Sequence, residues 1–206
     1  MKPISILIAD DHALVRMGLA ALFASTDDLS VVGQARDGRE AVRLTGELHP
    51  DIVLMDLQMP RMNGIDATQA IRKSHPDTKV IILTTFSTSD GLADALEAGA
   101  EGAFMKSTDN QKLIAGIRKV ASGGKAISPE VQRQLATDPP LPKLSPRQAE
   151  IVAALTKGLA NKEIAESLGL SIPRVEELIR ALLAKLHAAN RTEIVAIALR
   201  KHLLKI

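Results

Sequence analysis

The sequence predicts a two-domain protein, in which a doubly wound α/β domain with a five-stranded parallel sheet precedes a small all-α domain of four helices. Three observations lead to this fold class. Apolar strand-like runs alternate with helical patterns over roughly the first 120 residues, which is typical of a parallel sheet with helices on both faces. A stretch rich in glycine and proline follows. The rest of the chain shows helical periodicity only.

In the first domain, each apolar run is followed by a helical pattern. The predicted strands are residues 4–9, 30–35, 52–55, 79–85 and 102–106, and the predicted helices are residues 12–23, 39–48, 65–74, 88–98 and 109–122. The right-handed crossover rule leaves few strand orders, and we expect the flavodoxin-like order. In the first helix, Met17, Leu22 and Phe23 are predicted to face the core.

The segment 123–142 is predicted to connect the two domains. It begins with two glycines, which make a chain flexible, and it ends in a proline-rich stretch, which makes a chain stiff. We therefore predict a first domain over 1–122 and a second over 143–206, with the boundary near 137–142.

The composition excludes several classes of function. No apolar run approaches the roughly 20 residues that span a membrane, and the N-terminus lacks the apolar core of a signal peptide. The absence of cysteine excludes disulfides and thiolate metal sites. Aromatic residues make up only 1% of the chain, which argues against single-strand stacking surfaces. We expect a cytoplasmic protein without a membrane partner.

The net charge of +2 conceals an asymmetry between the domains. Residues 1–140 hold 15 basic and 18 acidic side chains, whereas residues 141–206 hold 11 basic and 6 acidic ones. The balance is thus −3 in the first part and +5 in the second. A basic C-terminal part indicates a polyanionic partner.

Four chemically distinctive features converge at the carboxyl ends of the predicted strands. They are the pair Asp10-Asp11, then Asp56, Thr84 and Lys106. Clustered carboxylates repel one another unless a cation lies among them, and hard oxygen ligands suit Mg²⁺. A carboxylate is also a nucleophile toward phosphorus, and a cation beside it stabilises the developing charge on phosphoryl oxygens. The hydroxyl of Thr84 would hydrogen-bond the phosphoryl group once it is attached to the carboxylate.

These residues lie in motifs with a family resemblance. The motifs are Ile-Ala-Asp10-Asp11-His12, Val-Leu-Met-Asp56-Leu-Gln-Met-Pro60-x-Met-Asn-Gly64, Ile-Leu-Thr84-Thr and Phe-Met-Lys106. With their spacing, residues 4 to 122 resemble the receiver domain of two-component response regulators. The resemblance implies a phosphoprotein that is not an enzyme, and the C-terminal part shows no catalytic constellation that would argue otherwise.

The resemblance also implies roles for individual acids. Asp56 would accept a phosphoryl group from a sensor histidine kinase. Asp11 and Asp56, with the backbone carbonyl of Gln58, would bind Mg²⁺, and Asp10 would orient a metal-bound water. We interpret His12 as a surface residue at a helix N-terminus and not as a ligand.

The fifth strand departs from the family in one position. By the resemblance, Lys106 would pair with the phosphoryl group and Thr84 would be the switch hydroxyl, coupled to an aromatic residue three positions before the lysine. That position is Ala103. Phe104 cannot substitute for the aromatic, because adjacent strand residues face opposite sides of a sheet.

The second domain shows four helical patterns. Ser145 and Pro146 would begin the first helix, and Gly158 would end it. Asn161 would cap a second helix that runs to residue 168, and Ser171 would cap a third over 172–186; the fourth spans 192–203. Two helices joined by a glycine-containing turn are typical of a helix-turn-helix.

This part resembles the LuxR-type helix-turn-helix domain. The motifs are Leu144-Ser-Pro-Arg147-Gln-Ala-Glu150, Gly158-Leu-Ala-Asn161-Lys-Glu-Ile164-Ala165 and Lys185-Leu186 with Asn190-Arg191-Thr192-Glu193. The whole chain is therefore similar to NarL/FixJ-family response regulators. The resemblance implies a transcription regulator that homodimerises when phosphorylated, through the helix 192–203, and binds inverted half-sites in double-stranded promoter DNA with the helix 172–186 in the major groove.

The predicted recognition helix is unusual for a DNA-binding surface. By the resemblance, Glu176, Glu177 and Arg180 occupy base-reading positions, Glu176 stands where a lysine is expected, and Leu178 replaces a histidine and is predicted to pack inward. The other predicted DNA contacts are Lys162, Ser171, Arg174, Lys185 and Arg191.

Two hypotheses for the glutamates remain open. They accept hydrogen bonds from cytosine, or they form a solvated charged face. Two functional classes also remain: a phosphorylation-controlled transcription regulator, or a response regulator whose degenerate helix-turn-helix binds protein.

Overall fold

The computed structural model describes residues 2–85, 88–141, 144–200 and 203. The chain divides into two compact units, residues 1–140 and 141–206. The first unit alternates strands with helices: β1 (Ile4–Ala9), α1 (Ala13–Ala24), β2 (Leu29–Ala35), α2 (Gly38–Leu48), β3 (Ile52–Met55), α3 (Gly64–Ser74), β4 (Lys79–Thr84), α4 (Ser89–Glu97), β5 (Gly102–Met105), α5 (Asn110–Ala121), β6 (Ala126–Ile127) and α6 (Pro129–Thr137).

The strands form one parallel sheet in the order β2-β1-β3-β4-β5-β6. The first five strands thus have the predicted flavodoxin-like order. One buried cluster joins the sheet to α1 and α5, and the other joins its opposite face to α2, α3, α4 and α6. Both faces of β3 are covered, which explains why all four of its residues are apolar and buried.

The sheet has one strand more than the sequence predicted, and this strand belongs to the expected connector. Within 123–142, β6 pairs with β5 and is followed by α6. Two residues are too few to show a strand periodicity, so pairing with β5 decided their conformation. Ser128 caps α6 by accepting a hydrogen bond from the N–H of Val131, which is fully buried.

The apolar stripe predicted on α1 is only partly correct. Phe23 is fully buried, but Met17 is 64% exposed and Leu14 is 82% exposed. Together with Gly18 and Ala21, these two side chains form a second stripe that faces solvent. The helix is apolar on both sides, so periodicity alone did not identify the side that packs on the sheet.

The second unit consists of α7 (Pro146–Thr156), α8 (Asn161–Leu168), α9 (Ile172–Leu186) and α10 (Arg191–Arg200) around a core of its own. Ser145 caps α7 with Gln148 in a capping box, as its position predicted. The predicted cap at Asn161 is wrong, because Ala160 is the N-cap residue of α8. The N–H of Ala160 donates to the side-chain carboxylate of Glu163. The end predicted for α10 involves residues 201–202, which lie outside the described residues.

Among the residues described, no helix combines the length and the apolar composition that crossing a membrane requires.

Candidate functional site

The end of β3 places Asp56 in the interior of the first unit. The strand pairs with β1 on one side and with β4 on the other. The N–H of Asp56 donates to the carbonyl oxygen of Ala9 at 2.8 Å, which extends the ladder by one residue. Asp56 is only 4% exposed. Its carboxyl group is therefore held by rigid backbone at the carboxyl edge of the sheet.

Asp10 lies beside it at the end of β1 and is almost fully buried. One carboxylate oxygen of Asp10 accepts the N–H of His12 at 2.9 Å, and its carbonyl oxygen accepts from Arg16 at 2.7 Å. Asp11 is exposed, and His12 Nδ1 lies 2.7 Å from its carboxylate. No pattern in the sequence predicts the contact of Arg16 with the backbone of Asp10.

Lys106 brings the two buried acids together. Its Nζ lies 2.6 Å from Asp10 Oδ2 and 3.0 Å from Asp56 Oδ2. Its backbone N–H donates to the carbonyl oxygen of Thr84 at 2.7 Å, so the ends of β4 and β5 are tied at this point. The structure thus assembles Asp10, Asp56, Thr84 and Lys106 at one edge, as their positions at strand ends predicted.

Burial and charge set the ionisation of this cluster. Burial raises the pKa of the Asp56 carboxyl above its ordinary value and the charge of Asp10 adds to the rise, while the hydrogen bond and charge of Lys106 oppose it. For Lys106, burial lowers the pKa, but the hydrogen bonds and charges of Asp10 and Asp56 outweigh burial and leave the pKa raised. Lys106 is therefore an ammonium group at neutral pH.

The acids also fit a divalent cation. Ligand atoms of Asp10, Asp11, His12 and Asp56 all lie within 4.8 Å of one another. Carboxylate oxygens are the hard ligands that Mg²⁺ prefers, and one or two of them with water suffice. Gln58 is exposed in the loop after β3, and the role of its carbonyl oxygen stays a prediction.

The loop between β3 and α3 depends on a glycine. A Cβ atom at Gly64 would lie 2.0 Å from the carbonyl oxygen of Asp56, too close for any other residue type without a backbone shift. The N–H of Gly64 donates to the carbonyl oxygen of Leu57 at 2.9 Å. In the sequence, Gly64 appears only as the end of the motif that contains Asp56, whereas the structure shows how closely Gly64 approaches the backbone of Asp56.

The structure shows what surrounds Ala103, the position at which the receiver family usually has an aromatic residue. Ala103 is fully buried on the face of the sheet that packs against α2, α3, α4 and α6. Phe104 faces the opposite side, where its ring would be 2.2 Å from a Cβ at Gly116 of α5. Phe104 therefore does not stand in for the missing aromatic, as strand geometry predicted.

Thr84 is the last residue of β4 and is 1% exposed. Its position at the acid cluster agrees with the expected place for a switch hydroxyl. The role itself stays a prediction.

The second unit displays most of the predicted DNA-contacting side chains on its surface. Arg174 forms an ion pair with Glu177 at 2.5 Å, and both are exposed. Glu176, Arg180 and Arg191 line one cavity of about 240 Å³. Leu178 is buried, in agreement with its predicted packing role.

The remaining predicted contacts differ in their surroundings. Lys185 donates to Gln148 at 3.1 Å, and Arg191 also donates to the carbonyl oxygen of Leu159 at 2.7 Å. Lys162 and Ser171 are exposed. Ser171 is the N-cap residue of α9, but its side chain makes no capping hydrogen bond.

Comparison with known proteins agrees with this architecture. Residues 6–118 match the family described as "Response regulator receiver domain", and residues 142–198 match "Bacterial regulatory proteins, luxR family". The chain is 39% identical to the "Uncharacterized transcriptional regulatory protein YhcZ" of Bacillus subtilis, with 96% of each chain covered. It is 38% identical to the transcriptional regulatory protein LiaR of Bacillus subtilis, with 97% of this chain and 99% of the relative covered.

A solved structure also covers nearly the whole chain. The response regulator ChrA of a heme-sensing two-component system is 32% identical, with a TM-score of 0.61 over 99% of this chain and 100% of that chain. A receiver domain defines the class of two-component response regulators, and in this chain a helix-turn-helix unit follows it. The chain belongs to this class, in the family whose DNA-binding domain is of the LuxR type.

Proposed function

We propose that this response regulator is switched by phosphorylation of Asp56 and that the switch controls transcription. The observation that carries the proposal is the position of Lys106 Nζ, within 3.0 Å of Asp56 and 2.6 Å of Asp10. A buried carboxylate with a fixed cation beside it is suited to receive a phosphoryl group whose oxygens need a positive partner. A sensor histidine kinase is the proposed donor.

In the proposed transfer, a carboxylate oxygen of Asp56 attacks phosphorus. The phosphorus–nitrogen bond to the donor histidine breaks, and its electron pair stays on the imidazole nitrogen, which takes up a proton. Lys106 pairs with a phosphoryl oxygen, and the hydroxyl of Thr84 donates to another in the product. Asp11, Asp56 and the carbonyl oxygen of Gln58 would hold Mg²⁺, Asp10 would orient a water on the ion, and the ion would supply charge neutralisation.

The transfer is tested with acetyl phosphate and Mg²⁺, followed by phosphate-affinity electrophoresis. Wild-type protein should form a single acid-stable, base-labile phospho-species, and Asp56→Asn should form none. Asp27→Asn is the matched control, because Asp27 is exposed in a loop of the same unit. Equal labelling of Asp56→Asn and wild type would contradict the assignment.

We further propose that the second unit binds promoter DNA through α9. Its exposed face carries Arg174, Glu176, Glu177 and Arg180, while Leu178 packs inward. The positive charge of Arg174, which is paired with Glu177, offsets the negative charge of that glutamate near the phosphates. Lys162 and Arg191 would contact the DNA backbone.

Two exposed apolar surfaces support a homodimer. On α10, Ala196 and Leu199 face solvent one helical turn apart, and Leu199 is 59% exposed. On α1, Leu14 and Met17 form the exposed stripe described above. Leu199→Asp should weaken association in the phosphorylated state, which sedimentation velocity measures; an unchanged dimer would exclude α10 as the contact.

Footprinting on the protein's own promoter region, at about 150 mM salt, tests DNA binding. Wild-type protein loaded with a phosphoryl mimic should protect a pair of inverted half-sites, and Asp56→Asn should protect them less. The two glutamates of α9 favour the alternative, in which the helix-turn-helix binds protein. No protected site in any state would support that alternative and contradict the transcription proposal.

A further inference from the structure

A groove in the first unit lies between α5 and the start of α6, beside the short strand β6. Its volume is about 560 Å³, within the range of roughly 300–1,000 Å³ that is usual for small-molecule sites. Part of its lining is apolar: Phe104 is almost fully buried, Ile127 is half-buried, and Ala115 and Pro129 are exposed. This α5–α6 groove therefore offers an apolar surface to a molecule of moderate size.

Hydrogen bonds fix β6 between β5 and α6, so the backbone along the groove is held in place. The N–H of Ser128 donates to the carbonyl oxygen of Ala103 in β5 at 2.9 Å. The side-chain amide of Gln132 in α6 donates to the carbonyl oxygen of Ile127 in β6 at 3.2 Å. A groove with a fixed backbone binds a ligand at a lower cost in conformational entropy than a loop that must first become ordered.

The polar part of the lining is positively charged. Lys112 and Lys119 of α5 and Lys125 before β6 all line the groove and are exposed, and no Asp or Glu among the described residues lines it. The pKa of the nearby Glu130 is lowered by hydrogen bonds from its own N–H and from Ser128, and the charge of Lys112 adds to this. Glu130 thus partly compensates Lys112, and the excess positive charge of the groove lies at Lys119 and Lys125.

The turn after α5 places the side chain of Lys119 on the side of the groove where Lys125 follows. A Cβ at Gly124 would lie 3.0 Å from Cγ and 3.5 Å from Cε of Lys119, so this side chain extends along the turn. Gly123 makes the turn possible with a φ of 89°, in the left-handed region. Two ammonium groups that line one groove repel each other, and an anion bound between them removes this repulsion.

We propose that the α5–α6 groove binds a small amphipathic organic anion. Its apolar body would contact Phe104, Ala115 and Ile127, and its carboxylate or phosphate group would pair with Lys119 and Lys125. An inorganic anion would leave the apolar lining in water, and an uncharged apolar molecule would leave the lysines without a counter-charge. The lining does not include the acid cluster at Asp56, so this site is independent of the proposed phosphorylation.

Fluorescence titrations of the full-length protein with two probes test the site. The probes are 8-anilino-1-naphthalenesulfonate, which is an anion, and N-phenyl-1-naphthylamine, which has the same rings without the charge. Wild type should bind the anionic probe with a Kd below about 1 mM. The double variant Lys119→Gln/Lys125→Gln should weaken binding of the anionic probe about tenfold and leave binding of the uncharged probe unchanged.

A second variant tests the apolar part of the groove. Ala115→Leu fills space in the groove from an exposed position of α5, so it should weaken binding of both probes by about threefold or more. The controls are Ala121→Leu, exposed on the same helix but outside the lining, and Lys73→Gln/Lys157→Gln, which removes the same charge elsewhere. Both controls should bind as wild type does.

Competition identifies the kind of occupant. Decanoate, an amphipathic anion, should displace the anionic probe from wild type, whereas hexaglutamate should not. Displacement by hexaglutamate alone would identify an acidic peptide as the occupant and overturn the proposal. A Kd above about 1 mM for the anionic probe, or wild-type binding by both groove variants, would overturn it as well. All substituted side chains are exposed, and circular dichroism confirms that each variant is folded.

Discussion

At the scale of single residues, the cluster at the carboxyl edge of the sheet places charged side chains in a buried environment. Asp10 and Asp56 are both almost fully buried, and the ammonium group of Lys106 lies between them. One positive charge cannot fully compensate two buried negative charges. This imbalance explains why the pKa of Asp56 is raised by burial and by Asp10 in spite of Lys106.

The raised pKa of Asp56 predicts a stability gain on removal of its charge. The folded state holds the proton of Asp56 more tightly than the unfolded chain, so stability is lost as the pH rises through the folded-state pKa. Without Mg²⁺ at neutral pH, Asp56→Asn should therefore have a higher melting temperature than wild type. The difference should vanish below the ordinary carboxyl pKa of about 3.9.

Thermal melts by circular dichroism between acidic and neutral pH would test this, with Asp27→Asn as control. A gain for Asp56→Asn that is independent of pH would contradict the explanation.

Also at the residue scale, the charge of Glu176 should limit DNA affinity. Glu176 is exposed in the cavity that Arg180 and Arg191 line. Glu176→Lys replaces a charge that phosphates repel by one that they attract. It should tighten binding to duplex DNA and steepen the dependence of log K on log salt by about one. Fluorescence anisotropy at several salt concentrations measures both.

The matched control for this prediction is Asp27→Lys, which changes the net charge equally but lies in the first unit. An equal gain in both variants would indicate a general charge effect and not a contact of α9.

At the scale of elements, the turn from β3 into α3 shows how local backbone supports chemistry. Gly64→Ala places a Cβ 2.0 Å from the carbonyl oxygen of Asp56. We expect a loss of about 2 kcal/mol or more in the free energy of unfolding, because the backbone must shift. The rate of phosphorylation by acetyl phosphate should fall about tenfold as Asp56 is displaced.

Gly18→Ala is the control, since a Cβ at Gly18 meets nothing within 4 Å and the residue is exposed in α1. It should stabilise the protein by about 0.5–1 kcal/mol through helix propensity and leave phosphorylation unchanged. Urea titration measures both variants. A Gly64→Ala protein as stable as wild type would show that the close approach is relieved without cost.

At the scale of the whole molecule, the two units have separate hydrophobic cores and differ in net charge. Each unit has its own hydrophobic cluster, and the basic excess lies in the second. We expect residues 141–206 alone to fold and to bind duplex DNA weakly, with a Kd of about 10⁻⁴–10⁻⁶ M that rises with salt. Residues 1–140 alone should not bind.

Circular dichroism reports folding of the two fragments, and anisotropy at about 50 and 200 mM salt reports binding. Comparable binding by residues 1–140 would show that the charge asymmetry does not locate the DNA surface.

The sequence by itself determined most of the fold and the chemistry of the site. Its local patterns sufficed because the strands are continuous apolar runs and the candidate site residues follow them directly, so strand order alone brings them to one edge. Asp10, Asp56, Thr84 and Lys106 were found in this way. So were the order of the first five strands, the helix-turn-helix and the buried packing of Leu178.

The tertiary structure decided what depends on partners that are distant in the chain. The strand at Ala126–Ile127 forms because β5 offers an edge to pair with, which no local pattern records. The side of α1 that faces the sheet and the approach of Gly64 to Asp56 likewise arise from packing. Such features depend on the distances between elements, and periodicity specifies only which residues share a face.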